Sequence, residues 1–118
     1  MDTAANTALI VFSTLPDIES AEQLAKMLVE RRLAACVSIG APVTSIYRWE
    51  GAIEQACEVP ITIKTSTARY PAMQAALLDA HPYDVPELLA CAVQDGAAPY
   101  LRWLHDATAI DQPDSTEC

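Results

Sequence analysis

The run "AIEQACEVPITIK" (52–64) constrains the fold more than any other stretch. From Ile53 onward Cys57, Val59, Ile61 and Ile63 fall on one side, with Gln55 the exception. Glu54, Glu58, Thr62 and Lys64 fall on the other. A period of two over this length predicts a long, half-exposed β-strand. Pro60 interrupts it, because proline donates nothing to a ladder and belongs at an edge or a bulge.

The rest of the chain is read around that strand. "ALIVFST" (8–14) is short, apolar and β-branched, and predicts a buried strand. A helix follows, capped by Asp17 or by a box of Ser20 with Gln23, with Ala21, Leu24, Ala25 and Leu28 on one stripe. Arg31 and Arg32 stand near its end, where cations suit the helix dipole. "AACVSIGAPVTSIYRW" (34–49) predicts a strand broken around Gly40 and Pro42 by a bulge, and "EG" (50–51) a tight turn into the long strand. Thr67 is the expected cap of a second helix, whose buried face carries Tyr70, Met73 and Leu77 and which Pro82 stops. "ELLACAV" (87–93) is continuously apolar and predicts a strand covered on both faces. Pro99 starts a last helix, with Tyr100, Trp103 and Leu104 on one side. Residues 109–118 read as a frayed tail.

This order, β-α-β twice and then α, predicts one α+β domain over residues 1–118, with a core of about 8–106. Two such units side by side make the ferredoxin-like arrangement, an antiparallel sheet with helices on one face. The length of 118 residues suits a single core. The opposite face of the sheet is left bare, which predicts oligomers.

Composition excludes several functions. Sixteen acids against seven bases, a net charge of −9, speak against nucleic-acid binding, which depends on Lys and Arg neutralising phosphates. No apolar run approaches a membrane span or a secretory h-region, so a cytoplasmic location is expected. Cys36, Cys57, Cys91 and Cys118 match no zinc or redox spacing. They are expected to be thiols, the first three as buried filler. No G-x-S-x-G, H-E-x-x-H, Walker or G-x-G-x-x-G motif occurs, so the chain is read as non-enzymatic. A hydrolase using a Cys or His has no motif behind it.

The candidate site residues lie in two places. In "HPYDVPELL" (81–89) His81 either finishes a helix or offers an imidazole to a soft cation, with Asp84 or Glu87 nearby. One histidine makes a poor metal site, and three copies about a threefold axis a better one. His105 reads as a plain residue at a helix end. In "SIYRWEGAIE" (45–54) Tyr47 and Trp49 share one side of a strand and Arg48 takes the other. At a hairpin tip that pair has no core of its own to enter, and packing on a neighbouring subunit is expected. Glu54 and Glu58 are about 13 Å apart at ~3.3 Å per residue, too far to share one metal. A second expected site is a cleft between subunits lined by Lys64, Tyr83 and Glu87, holding a small anion or a partner.

Four segments, "AACVSI", "SIYRWEGAIEQACEVPITIKT", "HPYDVPELL" and "YLRWL", occur in this order over roughly residues 8 to 106. Together they make the chain resemble the CutA family of divalent-cation tolerance proteins. The resemblance implies a ferredoxin-like fold with a long projecting hairpin and a very stable homotrimer. It also implies a link to copper and other divalent metal ions, and an architecture similar to the PII signalling proteins, sensors without catalysis. Some bacterial members carry a cysteine where Ser13 stands and a histidine where Ala80 stands, so His81 alone remains of that copper set. A hydroxyl is a poorer copper ligand than a thiolate and alanine is none. Any metal held here is expected to bind more weakly, or to borrow Asp84, Glu87 or Cys91.

Overall fold

The computed structural model describes residues 6–110. The elements, in order, are β1 (Ala8–Leu15), α1 (Ile18–Glu30), β2 (Cys36–Ile39), β3 (Val43–Trp49), β4 (Ala52–Ser66), α2 (Tyr70–Ala80), β5 (Leu89–Ala92) and α3 (Ala98–Ala107). The sheet runs β2-β4-β1-β5, every neighbour antiparallel, and β3 pairs only with β4. That is the ferredoxin-like order expected from the sequence. The tail beyond residue 110, with Cys118, lies outside the described residues.

The long alternating run becomes the 15-residue β4. Its second half, Val59–Ser66, is zipped to β1, and its first half, Ala52–Glu58, pairs with β3 alone. The hairpin therefore projects past the sheet, and the molecule measures 51 Å along its longest axis. The pairing register explains Pro60. Ile39 faces Ile61 while Val43 faces Glu58, so four steps on one side oppose three on the other. One extra residue is looped out around Gly40, a β-bulge. The Pro60 carbonyl accepts from the Gly40 N–H at 2.9 Å, so the missing proline donor faces this same break. Pro60 thus sits in a central strand, at the one place where a ladder bond is already lost. A Cβ on Gly40 would meet Pro60 Cγ at 3.0 Å.

At the hairpin tip Glu50 and Gly51 both have positive φ, 51° and 82°. That is the two-residue turn whose twist matches the strands. Nothing lies within 4 Å of a Cβ added to Gly51. Gly51→Ala is therefore expected to cost about 1 kcal/mol through backbone strain alone. Urea denaturation should show a lower midpoint at unchanged slope.

One face of the sheet carries α1 and α2. Val11, Ile61 and Ile63 from the strands meet Leu28, Met73 and Leu77 from the helices, all essentially excluded from water. Asp17 caps α1, its carboxylate accepting from the Ser20 N–H at 2.8 Å. Thr67 does not cap α2. The chain makes a turn first, and the helix begins at Tyr70 with Arg69 as a cap whose side chain makes no bond to the helix end. The Thr67 hydroxyl instead accepts from the Thr7 N–H and donates to Asn6. Of the two basic residues near the end of α1, Arg31 turns back to Met27 of its own helix and Arg32 serves elsewhere. Arg32 donates to the Asp106 and Ala107 carbonyls at the end of α3, and Arg69 reaches the Arg31 and Arg32 carbonyls at the end of α1.

Two expectations of burial fail, for one reason. β5 is not covered on both faces. It lies at the sheet edge, its residues are exposed, and Leu89 keeps 60% of its surface. Cys57 and Cys91 are exposed and Cys36 is half-buried, so none of the three is core filler. Apolar patterning signals a wish for burial, but a single chain has helices for only one face. α3 covers just one end of the other face, where Leu104 meets Ala8 and Ala35. Tyr100 and Trp103 stay exposed and stack on each other at 5.3 Å.

Candidate functional site

The loop 81–88 lies where α2 has ended and β5 has not begun, and three hydrogen bonds hold it to β1 and to itself. The His81 Nε2 lies 2.7 Å from the Thr14 carbonyl, and the Tyr83 N–H donates to His81 Nδ1 at 3.1 Å. Since Nδ1 accepts, the ring proton is on Nε2, which donates to Thr14. Further along, the buried Ser13 hydroxyl donates to the Glu87 carbonyl at 2.7 Å. His81 is buried and tilted against the Tyr83 ring, centroids 4.9 Å apart.

This placement sets the phenol of Tyr83 against Glu58 of β4. Burial, together with the hydrogen bond to the Glu58 carboxylate and its charge, pushes the Tyr83 phenol up to about 12. The Thr14 hydroxyl donates to the same carboxylate at 3.3 Å. The order is continuous: the Thr14 backbone holds His81, His81 holds the Tyr83 N–H, and the Thr14 hydroxyl holds Glu58. The folded state keeps the phenol proton above the ordinary 10, so this contact stabilises fully below pH 10 and is lost as pH rises towards 12. Alkaline unfolding followed by circular dichroism should show this loss in the native sequence. Tyr83→Phe should flatten the profile over that interval.

The hairpin completes the site. Antiparallel pairing sets Ser45 opposite Ala56 and Tyr47 opposite Glu54, so Tyr47, Trp49 and Glu58 share one face of the hairpin. That face and the loop enclose a cleft of about 590 Å³, lined by Tyr47, Trp49, Glu58, Tyr83, Asp84 and Glu87 among others. The size is that of a small-molecule site. Three rings and three carboxylates face it, and no Lys, Arg or His is among its lining residues.

Of the residues singled out from sequence, Tyr47, Trp49, Tyr83 and Glu87 meet here. Lys64 does not. It shares a face of β4 with Glu58 but stands six residues further, about 20 Å along the strand, opposite Ile10 of β1 and Cys36 of β2. Within one chain Lys64 and this cleft therefore lie apart. His81 lies behind Tyr83, with both nitrogens engaged and no lone pair directed outward. Ser13 is committed to Glu87, Ala80 has no ligand atom, and the described residues contain no cluster of three His, Cys, Asp or Glu that could hold a metal. Sequence reading missed Glu58 and Thr14, which line the cleft beside Tyr83 and bond to each other. The two strand residues and Tyr83 are far apart in the chain, and only the β1–β4 register and the returning loop join them.

The CutA1 divalent ion tolerance protein family model matches residues 9–107. The chain belongs to the CutA1 family. Curated CutA relatives include the divalent-cation tolerance protein of Thermus thermophilus, 42% identical over 84% of this chain and 96% of its own. Protein CutA of Mus musculus is 43% identical over 82% of this chain. The match spans about half the length of that mouse relative and of the human one. Among solved structures, CutA1 of the psychrotrophic Shewanella sp. SIB1 superposes with a TM-score of 0.85 at 44% identity, covering 88% of this chain and 97% of its own. The Archaeoglobus fulgidus CutA, described as periplasmic, superposes at 0.82 with 33% identity, covering 86% of this chain and 98% of its own. No helix among the described residues is long and apolar enough to cross a membrane.

Proposed function

We propose that this CutA1-family chain works as a cytoplasmic, non-enzymatic homotrimer in the response to divalent cations, through a ligand or partner held in the cleft between hairpin and loop. In this reading its link to copper or another divalent cation is indirect. His81 positions Tyr83 and is not the metal's ligand. One observation carries this reading: both imidazole nitrogens are spent within the chain, while the aromatic residues they help to place line an open cleft. The bare sheet face supports the trimer, because exposed apolar residues there have no cover within one chain. The unpaired thiols of Cys36, Cys57 and Cys91 suit a reducing compartment.

The test has two arms. Calorimetric titration of the purified assembly with copper(II) is expected to show no saturable site at micromolar concentration. A saturable site lost in His81→Ala would restore direct metal binding and sink the indirect reading. In cells, deletion of the gene is expected to raise sensitivity to divalent metals, with rescue by the wild-type gene and not by Trp49→Ala. Unchanged metal tolerance on deletion would remove the cation response altogether.

A further inference from the structure

Asp95 is the one aspartate of the chain that is followed by glycine. The pair Asp95–Gly96 lies in the exposed segment joining β5 to α3, past Val93, whose N–H donates to the Ala8 carbonyl at 3.0 Å. That is the Ala8 end of the sheet. The hairpin and the loop 81–88 stand at the other end, beyond Leu15 and Leu89. The Gly96 N–H donates to a side-chain oxygen of Asp95 at 2.8 Å, its one hydrogen bond among the described residues. An amide nitrogen and the carboxyl group it can attack are thus already in contact, which removes most of the cost of bringing them together. Glycine adds no Cβ to obstruct a ring that closes through its nitrogen. The other described aspartates lack this arrangement. Asp79 and Asp106 lie within α2 and α3, where the helix ladder holds the next N–H. Asp17 accepts from the Ser20 N–H, and Asp84 precedes the β-branched, stiff Val85.

We propose that Asp95 is a site of spontaneous covalent modification, conversion to isoaspartate through a cyclic imide formed with the Gly96 nitrogen. In the first step the Gly96 nitrogen attacks Cγ of the protonated Asp95 carboxyl. The N–Cγ bond forms, the Cγ–OH bond breaks, and the hydroxyl leaves with the amide proton as one water. In the second step a water adds to one of the two imide carbonyls. Cleavage at Cγ restores aspartate. Cleavage at the Asp95 main-chain carbonyl leaves the chain running through the side chain, with a free α-carboxylate. One water leaves and one enters, nothing is oxidised or reduced, and the reacting groups all belong to one chain. The consequence falls on α3. A Cβ on Gly96 would meet Leu101 Cδ2 at 3.3 Å, so the glycine is seated closely against that helix. Leu101 in turn packs on the small cluster of Leu104, Ala8 and Ala35. An isoaspartyl link places one more carbon in the main chain just before this seat, which displaces Gly96 from Leu101 and loosens α3.

The experiment ages the intact assembly in mildly acidic buffer at physiological temperature. The protein is then digested with an endoprotease that cuts before aspartate and not before isoaspartate, and the peptides are weighed. Progressive loss of the cut before Asp95 is expected, with a transient peptide lighter by one water, while the cuts before Asp79, Asp84 and Asp106 persist. The aged protein should also gain methyl label at this peptide from an isoaspartate-specific carboxyl methyltransferase. Asp95→Glu keeps the carboxylate but must close a larger ring, and should not convert. Gly96→Ala should convert more slowly. Asp95→Asn, which expels ammonia in place of water, should reach the same product faster. Hydrogen exchange of the α3 amides should quicken in step with conversion, as it does where a local unit opens more easily. A persistent cut before Asp95 in the folded assembly, under conditions where the isolated peptide 94–98 converts, would show that the fold locks the pair and would overturn the proposal. Conversion with α3 exchange unchanged would overturn the loosening of that helix.

Discussion

Leu89→Glu is expected to reduce the assembly to single chains of 12.7 kDa in size-exclusion chromatography with light scattering. Leu89 of β5 pairs with Phe12 of β1, and both stand on the sheet face that carries no helix beside them, 60% and 39% exposed. Ile10 and Cys91 form the next pair on that face. Apolar residues in adjacent register on an open sheet are the part of this chain most in need of a cover, and the neighbouring copies around the axis of the proposed trimer would supply it. A carboxylate placed there must be dehydrated without a partner in every protomer, at several kcal/mol each. Association should therefore weaken by orders of magnitude, while the core of each chain, on the opposite face, keeps its packing. Val29→Glu, an equally apolar-to-acidic change on exposed α1, should leave the assembly intact. Retention of the wild-type mass by Leu89→Glu at micromolar concentration would show that the open face is not the contact.

His81→Ala should cost about 2–4 kcal/mol of stability, a large share of what a domain of this size has. The ring is buried, so its loss opens a cavity, leaves the Thr14 carbonyl without its donor and leaves the Tyr83 N–H without its acceptor. The effect should reach the cleft, because Tyr83 is held against Glu58 by this bond. The variant is expected to lose cleft binding together with stability. His81→Gln, which can accept at one end and donate at the other, should recover part of both. A ring serving only as a metal ligand would behave differently. Its removal would lower metal affinity and leave urea denaturation in chelator unchanged, and that pattern would refute the positioning role.

The fold was largely legible in the chain, because its determinants are local. The period of two from Ile53 to Lys64, the apolar stripe through Leu24 and Leu28, and the breaks at Gly40 and Pro42 each act over a few residues, and each appears in the structure where expected. Thr67 was misread because two structures compete for one hydroxyl. A helix cap and a bond to the returning N-terminal segment use the same atom, and only the position of Thr7 and Asn6 decides between them. The cysteines and β5 were misread because hydrophobicity records a preference for burial, not what supplies it.

The site was legible only in part, for a related reason. Tyr47 and Trp49 betray themselves as aromatic residues on an exposed hairpin, and Tyr83 and Glu87 by their place in a proline-bracketed loop. The sequence by itself determined the order of strands and helices, the break around Gly40, the tight turn at Glu50 and Gly51 and the acidic charge, since all of these follow from neighbours in the chain. Tertiary structure alone decided that His81 faces inward to Thr14, that Lys64 stands about 20 Å from Glu58, and that Glu58 is the carboxylate held by Thr14 in the cleft that Tyr83 also lines. Hydrogen bonds between residues 67 or more positions from each other, or on separate strands, depend on register and on the return path of a loop. Neither is written in any short stretch of residues.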